Sequence, residues 1–304
     1  MTEPASPSAS TGSSASLPRT RTVEARDGVA LHVQVYGEGP PMLLCNGLYC
    51  STHYYGPWVQ HFSKRWRVIE FDYRGHGKSA EPREPASVTL ESLVQDAEDV
   101  LRATCDAPSV LVAHSMGVRV ALELYERAPH RFRCLILLCG SVWDSLGPIP
   151  SRYPLRNLVS GTLGLGGRIP AVADWLKDQT IKHDLVSKVG YGLGGLSRTL
   201  TPREPVEALL RNVSRLDIRL MSSLGMSYIA HDARWILPRV TVPTLMLVGS
   251  KDSLAFPAHA RAVVRSMRCA EAYVCPGCTH LAPVERPEEV HRAVESFLLR
   301  HLPR

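Results

Sequence analysis

The sequence predicts an α/β fold in which a mostly parallel central sheet is flanked by helices and interrupted by an inserted helical cap. Two patterns support this prediction. Short, nearly continuous apolar runs alternate with amphipathic helical segments, as in sheets whose strands are buried on both faces. Residues 141–240 break that rhythm. With 304 residues, the chain is long enough for one such domain with an insertion.

The N-terminal residues differ in composition from the rest of the chain. Residues 1–19 are rich in Ser, Ala and Pro and poor in large apolar side chains, so we expect a disordered tail without a secretory signal. Residues 21–26 and 29–36 then alternate in polarity and are joined by Asp27-Gly28, a dipeptide typical of a tight hairpin. The sheet is therefore predicted to begin with an antiparallel pair.

Apolar runs and helical patterns follow one another through the predicted core domain, residues 20–140 and 241–304. The predicted strands are 41–45, 66–71, 109–113, 134–139, 244–248 and 272–275. The predicted helices are 90–103, 116–127, 258–267 and 288–301. Because strands and helices alternate, we expect these strands to be parallel.

The stretch 141–240 contains no convincing strand and is predicted to be the helical cap. Thr201-Pro-Arg-Glu204 has the pattern of a capping box with an early proline, which predicts a helix start. Apolar residues then recur at helical spacing: Val206, Leu209, Leu210, Val213, Leu216, Leu220 and Leu224. Two glycine-rich strings, 161–167 and 190–195, do not open a phosphate-binding unit, and we expect hinges or close helix contacts there.

Composition and charge exclude several functional classes. The hydrophobic fraction of 44% and the charged fraction of 21% are ordinary for a globular protein. The net charge of +6 comes without dense basic runs, so nucleic acid is not an expected partner. The apolar runs are far shorter than the ~20 residues of a membrane helix, and the eight cysteines have the pattern of buried free thiols. We therefore expect a cytoplasmic protein without stable membrane insertion.

Cys275 and Cys278 form a C-x-x-C motif, which raises the question of a metal. A zinc site usually takes a second pair at matching spacing, and the sequence lacks one. No metal and no organic cofactor are predicted. The sequence leaves open whether the protein is a homo-oligomer.

The pentapeptide 113–117, Ala-His-Ser-Met-Gly, stands between a predicted strand and a predicted helix. A tight strand-to-helix turn needs small residues two before and two after the serine, and Ala113 and Gly117 are small. Such a turn lifts the Ser115 hydroxyl above the sheet and directs the Met116 backbone N–H at a bound carbonyl oxygen. Ser115 is therefore the predicted nucleophile and Met116 a predicted oxyanion donor.

With three further segments, the chain resembles the α/β-hydrolase superfamily, in particular its capped, cytoplasmic branch with a serine nucleophile. Residues 71–79, Phe-Asp-Tyr-Arg-Gly-His-Gly-Lys-Ser, are similar to the loop after the fourth strand of that branch. Residues 241–252 and 276–280 are similar to the segments that deliver the acid and the base. The resemblance spans residue 21 to the C-terminus and implies Asp252 as the acid and His280 as the general base. Asp144, after the sixth strand, is the alternative acid.

The resemblance also implies a second oxyanion donor in the loop after the third strand, where residues 45–48 read Cys-Asn-Gly-Leu. The backbone N–H of Leu48 is the expected donor, and Gly47 lets the loop approach the substrate closely. Asn46 stands where this branch usually has histidine.

These residues predict a hydrolase that acts through an acyl-enzyme, with Ser115 attacking a carbonyl and His280 activating water. An apolar cap favours a small or medium apolar carboxylic ester as the small-molecule acyl substrate. The triad alone does not separate ester hydrolysis from C–C bond hydrolysis, enol-lactone hydrolysis or peracid formation. A small-molecule receptor that keeps the triad without turnover is a further alternative.

Overall fold

The computed structural model describes residues 17–143, 153–192 and 194–302. In this part of the chain the strands are β1 Arg19–Glu24, β2 Ala30–Tyr36, β3 Pro41–Cys45, β4 Arg67–Phe71, β5 Ser109–His114, β6 Phe132–Leu138, β7 Thr244–Gly249 and β8 Ala270–Cys275. They form one sheet in the order β1-β2-β4-β3-β5-β6-β7-β8.

Three helices precede β6 along the chain: α1 Gly56–Phe62, α2 Leu90–Thr104 and α3 Gly117–Arg127. The helices between β6 and β7 are α4 Tyr153–Arg168, α5 Pro170–Lys182, α6 Leu185–Gly192, α7 Arg203–Arg215 and α8 Ile218–Ala230. The remaining helices are α9 Pro257–Arg265, α10 Ala282–Glu285 and α11 Pro287–His301. Among the described residues, no helix is both long and apolar enough to cross a membrane.

The sheet begins antiparallel and continues parallel, as predicted. β1 pairs antiparallel with β2, and β2 pairs antiparallel with β4. The turn between β1 and β2 contains Asp27 and Gly28, and Gly28 has a φ of 85°, which glycine adopts without steric cost. All pairs from β4 to β8 are parallel. The predicted α/β fold is therefore confirmed.

The central strands are buried on both faces because two hydrophobic cores cover the sheet. Leu43, Leu111 and Leu135 point into one core, which also takes residues from α2, α3 and α9. Their neighbours Met42 and Val110 point into the other core, which takes residues from α1 and α11. Side chains alternate along a strand, so continuous apolar runs supply both layers.

The cap helix predicted after Thr201 forms differently from the expectation. α7 begins at Arg203 with Pro202 as its N-cap and without a side-chain cap bond, so the capping-box prediction is wrong. The Thr201 hydroxyl instead donates to Glu285 Oε1 over 2.5 Å. The apolar periodicity also spans two helices, because α7 stops at Arg215. Asp217 then caps α8 by accepting from the backbone N–H of Arg219.

Two further predictions concern residues that lie wholly or partly outside the described part of the chain. A disordered tail is predicted over residues 1–19, and residues 1–16 of it lie outside the described residues. β1 begins at Arg19, so the last residue of the predicted tail belongs to a strand. Asp144, the alternative acid, also lies outside the described residues. The boundaries of the cap stay a prediction.

The first glycine-rich string lies inside α4 and faces α8. A Cβ on Gly166 would clash with the Ser222 hydroxyl, and one on Gly225 of α8 would lie 2.8 Å from Leu163 Cδ1. Gly166 and Gly225 therefore let α4 and α8 pack closely. Close helix contact is one of the two roles that the sequence predicts for the first glycine-rich string.

Candidate active site

The turn between β5 and α3 holds Ser115 in a strained conformation. Ser115 has a φ of 55°, in the left-handed region that non-glycine residues rarely adopt. Its backbone N–H donates to Leu138 O over 3.0 Å, which ties the turn to β6. Gly117 packs so tightly below β3 that a Cβ there would clash with the carbonyl oxygen of Cys45. These features are those of the strand-to-helix turn that the pentapeptide predicts.

The structure brings together the three residues predicted as nucleophile, base and acid. His280 Nε2 lies 2.9 Å from Ser115 Oγ. His280 Nδ1 lies 3.2 Å and 3.1 Å from the two carboxylate oxygens of Asp252. Their loops follow β5, β7 and β8, whose carboxyl ends share one edge of the parallel sheet. An imidazole held in this way can take a proton from the hydroxyl while its other nitrogen donates to the carboxylate.

Asp252 is buried but well supplied with hydrogen-bond donors. It is 2% exposed, and its Oδ1 accepts from the backbone N–H groups of Leu254 and Ala255, each over 2.8 Å. Such donors stabilise the ionised carboxylate and fix its orientation toward the imidazole.

His114, which precedes the nucleophile, packs behind His280. Its Nε2 lies 3.0 Å from Tyr54 Oη and 3.1 Å from the backbone oxygen of His280. Burial, assisted by the charge of His280, lowers the pKa of His114 to about 3. His114 is therefore neutral at ordinary pH and is a packed, hydrogen-bonded side chain, not an acid or base.

The loop after β3 reaches Ser115 at the point where an oxyanion donor is expected. A Cβ on Gly47 would lie 3.3 Å from Ser115 Cβ, so the absence of a side chain keeps the loop close to the nucleophile. Leu48 lines the same cavity as Ser115, and Met116 is the N-cap residue of α3. Asn46 donates from Nδ2 to Phe71 O over 3.0 Å, which anchors this loop to β4. The donor roles of Leu48 and Met116 stay predictions.

The loop formed by residues 72–79 supports the site from the side. Asp72 accepts from the backbone N–H groups of Thr52 and Lys78 over 2.8 Å and 3.0 Å. Arg74 forms ion pairs with Asp96 and Asp27 over 2.5 Å and 2.6 Å. These bonds close the loop through Lys78 and tie it to Thr52, to α2 and to the turn between β1 and β2.

Glu285 links the loop of His280 to the segment before α7. Its Oε2 accepts from the backbone N–H of Thr279 over 2.7 Å, and Oε1 lies 2.6 Å from the Thr279 hydroxyl. Oε1 also accepts from the Thr201 hydroxyl. Because Thr279 precedes the predicted base, this carboxylate joins the inserted helices to that base.

Two adjoining cavities lie against these residues. The first, which we call the serine cavity, has a volume of about 300 Å³, and the described residues that line it include Ser115, Leu48, Tyr228 and Ile229. The second, which we call the α7 cavity, has a volume of about 200 Å³ and is lined by residues that include Gly190, Leu196, Val206 and Ala208. The residues common to both are Cys50, Leu209, Leu254, His280 and Leu281.

Arg119 belongs to the described lining of the serine cavity, which contains no other Arg and no Lys, Asp or Glu. Its Nε donates to Ser141 O over 2.9 Å, and its NH1 donates to His231 O over 2.8 Å and to Tyr228 O. The guanidinium also stacks on the Tyr228 ring, 4.1 Å from its centroid. Arg119 therefore ties α3 to the end of β6 and to α8.

The C-x-x-C motif lies at the base of the loop that carries His280. The Sγ atoms of Cys275 and Cys278 lie 3.3 Å apart and both residues are fully buried. Among the described residues, no group of three or more His, Cys, Asp or Glu side chains has the arrangement of a metal site.

Comparison with known proteins agrees with this geometry. A family model described as alpha/beta hydrolase fold matches residues 40–287. The chain belongs to the α/β-hydrolase family. A pimeloyl-[acyl-carrier protein] methyl ester esterase from Nitrosospira multiformis is 25% identical to it over 268 residues, covering 86% of this chain and 95% of that protein. A 3-oxoadipate enol-lactonase from Acinetobacter baylyi is 23% identical and covers 90% of this chain and 94% of that protein.

Solved structures show the same architecture. A thermophilic esterase from Thermogutta terrifontis has a TM-score of 0.74 at 22% identity, covering 93% of this chain and 99% of that one. At this identity the likeness concerns the fold alone. The predicted superfamily, fold and hydrolase class are confirmed for this α/β hydrolase, whereas the roles of its individual residues rest on the geometry above.

Sequence reasoning about this α/β hydrolase missed two polar residues that connect the site to the inserted helices. Asn212 of α7 accepts from the Gly77 N–H over 3.0 Å and donates to Tyr49 O over 2.7 Å. Glu285 is the second of these residues, because it accepts hydrogen bonds from both Thr279 and Thr201. Asn212 interrupts an otherwise apolar helical face, and that polar break is the one signal in the sequence that marks it. Glu285 lies beyond the motif and carries no such signal.

Proposed function

We propose that this α/β hydrolase is a serine esterase that cleaves small or medium apolar carboxylic esters through an acyl-enzyme. The observation that carries the proposal is the continuous hydrogen-bonded line from Ser115 Oγ through the His280 imidazole to the Asp252 carboxylate. A serine hydroxyl is a weak nucleophile at neutral pH, and this arrangement removes its proton during attack.

The chemistry proceeds in two steps. Ser115 Oγ forms a bond to the ester carbonyl carbon while His280 takes the hydroxyl proton, and the backbone N–H groups of Leu48 and Met116 stabilise the oxyanion. The bond to the alcohol oxygen then breaks, and His280 returns the proton to that oxygen. Water adds to the acyl-enzyme with His280 as base, which releases the acid and restores Ser115.

The cavities favour a neutral apolar substrate. The side chains that line both include Leu209, Leu254 and Leu281, and an apolar lining stabilises apolar groups of the substrate by removing them from water. The relatives include an enol-lactonase and an esterase. We favour esters because the described lining contains no Lys, Asp or Glu and because the guanidinium of Arg119 is bonded to backbone carbonyls.

The test uses a fluorophosphonate probe and a chromogenic butanoate ester. We expect the wild-type protein to be labelled and to hydrolyse the ester, whereas Ser115→Ala loses labelling and at least 10³-fold in kcat/KM because the nucleophile is absent. Ser222→Ala is the matched control, since Ser222 is buried in α8 and its hydroxyl has no hydrogen-bond partner among the described residues. Labelling that persists in Ser115→Ala, or a wild-type protein that binds the ester without turnover, would refute the proposal.

A further inference from the structure

His280 lines both cavities. The serine cavity contains Ser115 together with Gly47 and Leu48 of the loop expected to hold the oxyanion. The α7 cavity includes His280 and Leu281 in its described lining, and Ser115 is not part of that lining. Because the two spaces share His280, a substrate whose carbonyl carbon is bonded to Ser115 can extend into both.

We propose, on the basis of the esterase function above, that the serine cavity receives the acyl chain and the α7 cavity receives the alcohol of the ester. His280 must return a proton to the departing oxygen, so that oxygen lies next to Nε2. The rest of the alcohol continues past the imidazole, where the α7 cavity begins. The acyl carbon stays attached to Ser115 Oγ after the alcohol leaves, and its chain therefore occupies the space that contains Ser115.

The walls of the α7 cavity indicate the chemistry of that alcohol. Its described lining includes Leu196, Pro205, Val206 and Ala208 and contains no Lys, Arg, Asp or Glu. Its volume is about 200 Å³. A butyl or benzyl group fits this space, and each methylene removed from water there raises kcat/KM by about fourfold.

Ala208 and Ile229 set the size of the two spaces separately. Ala208 is a half-buried residue of α7 that lines the α7 cavity, and Ile229 is a half-buried residue near the end of α8 that lines the serine cavity. Neither belongs to the line formed by Ser115, His280 and Asp252. A phenylalanine at either position adds bulk to one cavity and leaves the other unchanged.

The experiment compares two ester series with the 304-residue chain. In one series methanol is esterified with acids from acetic to hexanoic, and in the other acetic acid is esterified with methanol, butanol or benzyl alcohol. Ala208→Phe is expected to lower kcat/KM at least tenfold for benzyl acetate and to leave methyl hexanoate within twofold of the wild type. Ile229→Phe is expected to do the reverse. Equal losses in both series, or the opposite assignment, would overturn the inference.

A second pair of variants with smaller changes keeps the test informative if a phenylalanine variant does not fold. A Cβ on Gly195 would meet Gly190 O and Leu254 Cδ1 at 3.6 Å and 3.7 Å, which are ordinary contacts, so Gly195→Ala narrows the α7 cavity mildly. Ile229→Ala enlarges the serine cavity. We expect the first to lower kcat/KM for benzyl acetate relative to methyl acetate and the second to raise kcat/KM for methyl hexanoate relative to methyl acetate. Fluorophosphonate labelling of each variant separates the two failures: a labelled, active protein without the crossed pattern refutes only this inference, and an unlabelled wild type refutes the esterase function too.

Discussion

Helices α3 and α5 have similar lengths and opposite environments. α3, which begins directly after Ser115 and Met116, buries eight of its 11 residues. α5 has 13 residues and none of them is fully buried, while the side chains of Val172, Trp175 and Leu176 are about half exposed. The comparison indicates that α3, on the sheet side of the molecule, is part of the packed core that follows Ser115, whereas α5 of the inserted segment contributes little buried surface to that core.

The largest effect is expected on the sheet side, at the acid. Asp252→Asn keeps an oxygen for the N–H groups of Leu254 and Ala255 but removes the charge that orients and stabilises the imidazolium. We expect kcat/KM for a chromogenic ester to fall by about 10³–10⁴-fold with little change in melting temperature. Asp178→Asn on α5 is the matched control and should behave as wild type. Full activity of Asp252→Asn would transfer the acid role to Asp144.

A second prediction tests the contrast in stability directly. Leu122 of α3 is completely buried, and Leu176 of α5 is 49% exposed. Leu122→Ala should lower the free energy of unfolding by about 2–5 kcal/mol because it leaves a cavity in a packed core. Leu176→Ala should change it by less than about 0.5 kcal/mol. Urea denaturation measures both, and equal losses would show that the two regions are equally well packed.

A third prediction concerns the connection between the two regions. Glu285→Gln replaces the charged acceptor shared by Thr279 and Thr201, and hydrogen bonds to a charged group are each worth about 1.5–3 kcal/mol. We expect about a tenfold loss in kcat/KM because the loop of His280 is positioned less well. Thr201→Val removes the bond to Glu285 together with the bond that the Ser197 backbone N–H donates to the Thr201 hydroxyl, leaves both Thr279 bonds in place, and should cost about threefold. If Thr201→Val were the more damaging variant, the inserted segment and not the His280 loop would be the main element that Glu285 positions.

The smallest expected effect is a loss of stability at low pH, which we attribute to buried histidines of α9 and α11. Burial lowers the pKa of His259 to about 4 and, with the charge of His61, that of His291 to about 3. The unfolded chain therefore binds protons that the folded protein does not, and stability falls as pH drops from about 6.5 toward these values. At pH 5.5 we expect a loss of about 1 kcal/mol per buried histidine. His291→Phe should flatten the melting temperature between pH 7 and 5, and an unchanged slope would argue against this origin.

The fold was predictable because its strands have a distinctive pattern. Strands β3, β5 and β7 are buried at every position, so their apolar runs identify them without knowledge of their partners. The approach of Ser115, His280 and Asp252 was predictable for a related reason, since each follows a parallel strand at the same sheet edge. The family resemblance supplied the order of the three residues along the chain.

The helices between β6 and β7 were less predictable. Apolar spacing from Val206 to Leu224 suits one helix, but Asp217 starts a new one because its carboxylate caps α8. Thr201 and Glu204 match a capping box, yet the hydroxyl of Thr201 finds a stronger acceptor in Glu285, 84 residues later. Such competition depends on tertiary contacts, which local sequence patterns do not contain.

The left-handed backbone of Ser115 has a consequence for how this chain is maintained over generations. A non-glycine residue in that region costs of order 1 kcal/mol relative to glycine, so drift toward a more stable protein favours the replacement of this serine. Glycine would relieve this strain, but it would also remove the hydroxyl that the proposed esterase function requires. Lineages in which the activity has become dispensable should lose this side chain early while they keep the surrounding strands.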